Sequence, residues 1–235
     1  MFMTDRLNIA ITLKINDTIY IRDPQQTDLG KSILQHGILL IDELGLEKFN
    51  FKKLAERIHS TEASIYRYFE NKHKLLIYLI NWYWEWMKFR IDFFTNNISD
   101  PNERLKLVLT AIVDTSKKNT SIEFIDEDIL HRIVVSEGIK AYHSKEVDED
   151  NESGYFLSYK SLCEKVASVL LEINPEFKYP RTLASNLLEM ANNQLYFALH
   201  LPRLTDLKME SEDDHQQVID LLEFFAFKML TQGQK

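Results

Sequence analysis

Apolar residues recur at helical spacing along most of this chain. They return every three or four residues, as one buried face of an α-helix requires. Helices are therefore predicted over 27–44, 71–96, 102–117, 121–138, 155–173, 181–201 and 214–231, with two shorter helices between residues 50 and 69. Glycine and proline number only six and five, so few helix breakers interrupt these stretches. The pattern predicts an all-α protein.

The first 26 residues have a different pattern. Apolar residues alternate with mostly polar neighbours at Ile9, Ile11, Leu13 and Ile15, and again at Ile19 and Ile21. This alternation predicts a short N-terminal β-hairpin or an extended arm. Since an isolated hairpin is only marginally stable in water, its apolar face must pack on the helical part or on a partner subunit. A disordered tail is the alternative.

Between residues 50 and 76 the pattern shortens to helix, tight turn and short helix. Asn50 and Thr61 are residue types whose side-chain oxygen can accept from a free backbone N–H at a helix start. Ile65 and Phe69, four residues apart, predict the inward face of the second short helix. Its other face is polar and therefore contributes little to a core. This arrangement is typical of a helix-turn-helix, whose second helix enters the DNA major groove.

Residues 33–76 resemble the DNA-binding domain of TetR-family transcriptional regulators. The resemblance rests on ELG at Glu43–Gly45, LAERI at Leu54–Ile58 and SIYRYFENK at Ser64–Lys72. The interhelical turn of such proteins usually carries glycine, whereas the matching residue here is His59, which predicts a slightly altered turn. The rest of the chain resembles the family only in length and helical character.

Three parts are expected. The alternating pattern gives the N-terminal arm or β-hairpin over 1–26, which is not part of the general family pattern. The resemblance implies a helix-turn-helix DNA-binding domain over 27–77 and a larger helical domain over 78–235 for ligand binding and dimerisation. It also implies a function. The protein is expected to be a cytoplasmic repressor that binds a palindromic double-stranded DNA operator as a homodimer. Release by a small apolar or amphipathic effector is expected as well.

The resemblance further assigns DNA-binding residues by matching position. Asn50, Lys52, Lys53, Thr61, Tyr66 and Lys72 are expected at the phosphate backbone, and Glu62, Ala63, Ser64, Arg67 and Tyr68 are the candidate base readers. Glu62 can accept from a cytosine amino group, and Ala63 can contact a thymine methyl group. Arg67 suits either guanine or a phosphate.

The net charge of −8 is unusual for a DNA-binding protein, so its distribution matters. Between Gly45 and Leu75 seven Lys and Arg stand against four Glu, a local charge of +3, which leaves −11 elsewhere. Phosphate affinity depends on charge at the contact face, since salt screens more distant charges. A basic tip on an acidic protein is therefore compatible with DNA binding.

Aromatic residues crowd the helix predicted over 71–96. Core packing explains most of them, and an apolar ligand cavity is the functional alternative. Polar residues on one face of the 181–201 helix could orient a ligand there, although a solvated or intersubunit face is the other interpretation. The ligand-binding candidates are Trp86, Phe89, Phe93, Glu189, Asn193 and Tyr196.

The last two predicted helices look like the dimerising pair of the family. Geometry also favours a dimer, because one short reading helix touches too few base pairs to specify a site in a genome. The dimerisation candidates are Leu187, Leu195, Val218, Leu221, Leu222, Phe225 and Met229.

Other functions find little support in the sequence. No stretch approaches 18 consecutive apolar residues, so no membrane partner is expected, and the single cysteine, Cys163, fits a reducing compartment. No nucleophile or nucleotide-binding motif is present, and no enzyme activity, cofactor or metal is predicted. The acidic runs Glu146–Glu152 and Glu210–Asp214 are interpreted as solvated loops. A helical protein–protein adaptor without DNA reading is the main alternative.

Overall fold

A computed structural model describes residues 11–115, 122–208 and 215–231 of the chain. Within these ranges it contains eleven α-helices and no strand, which confirms the all-α prediction. The helices are α1 (Asp28–Lys48), α2 (Phe51–Arg57), α3 (Glu62–Tyr66), α4 (Lys72–Thr95), α5 (Pro101–Asp114), α6 (Glu127–Glu137), α7 (Ile139–Tyr142), α8 (Val147–Glu152), α9 (Leu157–Ile173), α10 (Pro180–His200) and α11 (Gln216–Thr231).

Helices α1 to α3 and the start of α4 form an N-terminal head. The predicted N-caps Asn50 and Thr61, and likewise Asn71 before α4, each accept a hydrogen bond from a backbone N–H three residues on, at 2.9, 3.2 and 2.9 Å. Ile65 and Phe69, the predicted inward residues, are fully buried, as are Leu34, Ile38 and Ile41 on the inner face of α1. Capping and burial together explain why such short helices form, since neither α2 nor α3 is long enough to be stable alone.

Helix α1 does not end at Gly45, where the sequence predicts its stop. Gly45 has the expected positive φ of 73°, with ψ at 155°, but one more helical turn follows it to Lys48. Two side chains hold this turn. Glu137 accepts from the Leu46 amide at 3.2 Å, and the Lys72 ammonium donates to three carbonyl oxygens at 2.8, 3.0 and 3.2 Å. Gly45 is thus a kink rather than an end.

The β-hairpin prediction is wrong for residues 11–26, which form an irregular arm without a strand. Short 3-10 helices at Asp17–Ile19 and Pro24–Gln26 replace the expected turn and second strand. Gln25 explains this, because its buried side-chain amide bonds both the Leu13 amide, at 3.2 Å, and the Leu13 carbonyl, at 2.7 Å. One side chain thereby satisfies backbone groups that a second strand would otherwise pair. Ile9 lies outside the described residues.

The arm packs on both the head and the rest of the protein. Leu13, Ile15 and Ile19 are buried in the main core. Asn16 donates from its side-chain amide to the carbonyl oxygens of Ser153 and Gly154, at 3.2 and 3.0 Å. The arm is therefore an ordered part of the fold over its described length.

Two further expectations need correction. Helix α6 begins at Glu127 rather than near residue 121, because Asp126 caps it by accepting from the Ile129 amide at 3.2 Å. The acidic run Glu146–Glu152 is mostly helical, as α8, rather than a solvated loop. Acidic residues in the first turn suit the positive end of the helix dipole. The run Glu210–Asp214 lies outside the described residues.

Helix α4 is the central element of the protein. It packs against α1 of the head and against α5, α6 and α9 of the body, which comprises the helices after α4. Its Tyr78, Trp82, Tyr83 and Trp84 are among the largest fully buried side chains. Because α4 also runs across the predicted boundary at residues 77 and 78, its position couples the head to the body. Among the described helices, none combines the length and apolar character that crossing a bilayer requires.

Candidate nucleic-acid interface

The turn between α2 and α3 sets the angle of the reading helix. His59 adopts φ of 51°, the left-handed conformation that glycine provides in a turn of this kind. This costs a non-glycine residue about 1 kcal/mol. The Ser60 amide closes the turn by donating to the Ala55 carbonyl at 2.9 Å. The turn thus keeps its left-handed conformation without a glycine.

Most of the predicted DNA-binding residues share one exposed surface, the reading face. Tyr66 is 47% exposed and rests its ring edge on Phe51, with centroids 5.1 Å apart, which fixes its direction. Arg67 is exposed and has no hydrogen-bond or ion-pair partner among the described residues. The other exposed members of the reading face are Asn50, Lys52, Lys53, Thr61, Glu62 and Ala63, and Ser64 is half-buried.

Two of the predicted DNA-binding residues, Tyr68 and Lys72, make contacts within the protein instead. Tyr68 is only 2% exposed, and its hydroxyl shares a 2.7 Å hydrogen bond with Thr27. The Lys72 ammonium donates all three of its N–H groups to carbonyl oxygens at the end of α1, so no donor is left for a phosphate. Neither side chain belongs to the reading face in this arrangement.

The basic residues around α2 also differ in their availability. Lys53 donates to the Lys48 carbonyl at 2.8 Å, and Arg57 forms an exposed ion pair with Glu43 at 2.7 Å. Lys52 has no described partner. Since exposed ion pairs are weak, Arg57 can exchange Glu43 for a phosphate at little free-energy cost. Arg57 is not among the DNA-binding residues predicted from the sequence, although it lies within the LAERI motif.

The ligand-binding candidates do not share an enclosed cavity. Trp86 is buried and stacks on Phe89, whereas Phe93 at the end of α4 is 68% exposed. The three candidates on α10, which are Glu189, Asn193 and Tyr196, lie on its outward face. This position agrees with the solvated or intersubunit interpretation of that face.

A different aromatic cluster lies beneath the middle of α4. Tyr159 stacks between Trp84 and Tyr142, at centroid distances of 4.8 and 5.8 Å. The indole N–H of Trp84 donates to the Tyr142 hydroxyl at 3.2 Å. The Asn81 side chain donates to the Tyr155 carbonyl at 2.8 Å. The cluster encloses no space that a water molecule could occupy, so a ligand could enter only if the rings moved apart.

Buried polar groups connect α6 to α10. The His131 imidazole lies 3.2 Å from the side-chain oxygen of Asn192, both being buried. Burial lowers the pKa of His131 to about 4, because a charged imidazole loses its hydration there. His131 is therefore neutral near pH 7 and donates from Nε2 to that oxygen.

The dimerisation candidates divide into two groups. Leu187, Leu195, Val218 and Leu222 are buried within the protomer, where they hold α10 and α11 on the body. Leu221 and Phe225 are half-buried, and Met229 is exposed. Phe224, which the sequence analysis did not include among these candidates, is 62% exposed. An amphipathic pattern locates the buried stripe and leaves open which flanking apolar residue faces outward.

Side chains also join the head directly to the body. Arg132 on α6 holds both carboxylate oxygens of Asp42 on α1, at 3.1 and 3.0 Å, and Glu137 holds the Leu46 amide. No local sequence pattern predicts these contacts, because the partners are about 90 residues apart. The head is consequently fastened to α6 as well as continuous with α4.

The all-α fold and the reading face define a helix-turn-helix protein. Residues 33–79 match the family model described as "Bacterial regulatory proteins, tetR family". This match covers the helix-turn-helix head and supports the resemblance to TetR-family regulators. No curated protein sequence matches the chain significantly.

Solved structures share the fold at low sequence identity. A transcriptional regulator from Rhodococcus sp. Rha1 is 14% identical, with a TM-score of 0.61 over 86% of this chain and 97% of its own. AibR, solved with isovaleryl coenzyme A and operator DNA, is 16% identical, with a TM-score of 0.57 over 83% of this chain and 96% of its own. The superantigen PfiT is 13% identical, with a TM-score of 0.58 over 86% and 97%. At these identities the likeness concerns the fold alone.

Proposed function

We propose that this protein is a homodimeric repressor that binds a near-palindromic operator through its two reading faces and is released by a small amphipathic effector. The observation that carries the DNA-binding part is the geometry of α2, the His59 turn and α3. It presents Tyr66 and Arg67 outward on a helix whose opposite face is buried. AibR, which has the same fold, was solved with operator DNA.

The reading face combines sequence readers with phosphate contacts. Glu62 and Ala63 begin α3, the part of a recognition helix that reaches base edges. Lys52, Arg57 and Arg67 supply charge around it for the phosphate backbone. Tyr68 and Lys72 have structural roles instead, in the arm contact and in the last turn of α1 respectively.

A second copy of the chain is proposed to cover the outward faces of α10 and α11. Phe224 packs edge-on against Phe225 with centroids 5.6 Å apart, and Tyr196 packs on His200 at 4.6 Å. Phe224 and Tyr196 are 62% and 41% exposed, on two helices that pack against each other. Burying such rings against a two-fold partner is favourable at about 25 cal/mol per Å² of apolar surface.

Effector release is proposed to act through α4. The aromatic cluster formed by Trp84, Tyr142, Tyr155 and Tyr159 lies against the helix whose first residue, Lys72, holds the last turn of α1. A ligand that separated these rings would shift α4 and with it the spacing of the two heads. Such a ligand binds the shifted state better, so it reduces operator affinity by population shift.

Fluorescence anisotropy on the DNA upstream of the gene for this protein tests the DNA-binding part. We expect wild-type protein to bind at two protomers, or a multiple, per site and to resist random-sequence competitor. Tyr66→Ala combined with Arg67→Ala should abolish competitor-resistant binding and leave the protein folded, with a cooperative thermal unfolding transition. Lys208→Ala is the control, since Lys208 is an exposed residue remote from the head in sequence.

The dimer has its own test in sedimentation velocity. Phe224→Asp should produce monomers and lose operator affinity, because a carboxylate would be buried without a partner at the proposed interface. Ile139→Asp is the matched control, since Ile139 is equally exposed on α7 and outside the proposed interface. Dimers that persist in Phe224→Asp would contradict this interface.

The adaptor alternative remains a distinct outcome. A protein that binds no DNA even at low salt, while Tyr66→Ala with Arg67→Ala changes nothing, would favour an adaptor that retained the fold. The superantigen PfiT has a similar fold, so the fold by itself does not decide between the two functions.

A further inference from the structure

The arm passes close to the C-terminal end of the reading helix, α3. The Ile21 amide donates to the Tyr68 carbonyl oxygen at 2.8 Å, a backbone contact between the arm and the residue that follows Arg67. Two residues before it, Ile19 is anchored in the core with 2% exposure. The position of residues 20–22 relative to the reading face is therefore fixed by both backbone and core contacts.

The arm covers Tyr68. The Arg22 guanidinium carbon lies 5.6 Å from the centre of the Tyr68 ring, and the Tyr68 hydroxyl is bonded to Thr27. The family resemblance assigns Tyr68 to the DNA face, but here the arm and the start of α1 bury it. The group that the protein presents to solvent at this place is the cation of Arg22.

Arg22 is free to bind an anion. It is exposed and has no ion-pair or hydrogen-bond partner among the described residues. The neighbouring carboxylate of Asp23 is used within the arm, where it accepts from the Gln25 amide at 2.9 Å and from the Gln26 side chain at 3.3 Å. A guanidinium held over an aromatic ring is also preorganised, because stacking restricts its motion while leaving its N–H donors available.

We infer that Arg22 is a DNA-contacting residue outside the helix-turn-helix, which binds a backbone phosphate next to the one reached by Arg67. The inference rests on the proposed function, since it extends the reading face to the arm. Tyr68 acts as the platform that holds Arg22 in position. Phosphate is the expected ligand rather than a base, because Arg22 lies beside the end of α3 and not along its outward face.

Salt dependence of operator binding tests this contact. Each neutralised phosphate contributes about 0.9 to the slope of log K against log salt concentration. Arg22→Gln should therefore make the slope shallower by about 0.9 for each protomer, or about 1.8 for a dimer. Anisotropy titrations of full-length protein between about 50 and 200 mM salt, on the DNA that wild type binds, resolve this change.

Two variants serve as controls. Arg22→Lys keeps the charge and should keep the wild-type slope. Arg203→Gln removes one positive charge from an exposed residue just after α10 and should also leave the slope unchanged, because Arg203 belongs neither to the reading face nor to the arm. Thermal unfolding of all variants checks that the fold is intact.

Two results would overturn the inference. One is an unchanged slope in Arg22→Gln while wild type binds its operator. The other is an equal loss of affinity in Arg22→Gln and Arg22→Lys, which would make Arg22 a cover for Tyr68 rather than a phosphate contact. Failure of the proposed function itself looks different, since wild type would then show no competitor-resistant binding.

Discussion

His131 should make the stability of this protein depend on pH in a defined window. Burial lowers its pKa to about 4 in the folded state, whereas the unfolded imidazole has a pKa of about 6.5. Between these values the unfolded state binds more protons than the folded state. Stability therefore falls as the pH falls from about 6.5 towards 4, and it is retained above 6.5.

The magnitude follows from the two pKa values. At pH 5 the unfolded imidazole is almost fully protonated and the folded one is mostly neutral, a difference worth about 2 kcal/mol relative to pH 7. For a chain of this size each kcal/mol shifts the unfolding temperature by about 2–4 °C. His131 alone should therefore lower the unfolding temperature by roughly 4–8 °C between pH 7 and pH 5.

Thermal unfolding of wild type and His131→Gln at pH 7, 6 and 5 isolates this contribution. Glutamine can still donate to Asn192 but does not titrate. Between pH 7 and pH 5 the unfolding temperature of the variant should therefore fall by roughly 4–8 °C less than that of wild type. His143→Gln is the control, since His143 is exposed after α7 and lies outside the proposed dimer interface, so this variant should lose as much stability on acidification as wild type. If the unfolding temperatures of wild type and His131→Gln fall equally between pH 7 and pH 5, His131 does not cause the pH dependence.

Three further substitutions test structural roles. Lys72→Met removes three charge-assisted hydrogen bonds and should lower the free energy of unfolding by about 1.5–3 kcal/mol, whereas exposed Lys52→Met should change it by less than about 0.5 kcal/mol; equal effects in a urea titration would contradict this. Gln25→Ala should increase hydrogen exchange of the Leu13 amide, while Gln26→Ala, which loses only an exposed contact, should not. At position 59, His59→Gly should keep the unfolding temperature and His59→Val should lower it, because a β-branched residue disfavours positive φ; a tolerated valine would show that the turn is not left-handed.

Sequence reasoning succeeds where the interactions are local. The N-caps at Asn50, Thr61 and Asn71 depend on residues three positions away, and the buried stripes depend on helical spacing, so both can be read from the chain. The positive φ at Gly45 is predictable for the same reason. The family motif also predicts which side of α3 faces outward.

Sequence reasoning fails where a distant residue changes a local outcome. Gln25 replaces the second strand of the expected hairpin, and Glu137 with Lys72 prolongs α1 past its kink. Tyr68 matches a DNA-contacting position by motif but is buried because the arm covers it. In each case the deciding partner lies too far along the chain, or in too irregular a segment, for periodicity to reveal it.

The fastening of the head to the body has a consequence for folding. The Leu46 amide depends on Glu137, Asp42 depends on Arg132, and the arm depends on the carbonyl of Ser153. A fragment limited to 27–77 would lose all of these partners and would expose the apolar underside of α1. The head is therefore expected to unfold together with the body in one cooperative transition. The DNA affinity of an excised head would therefore differ from that of the head in the full-length protein.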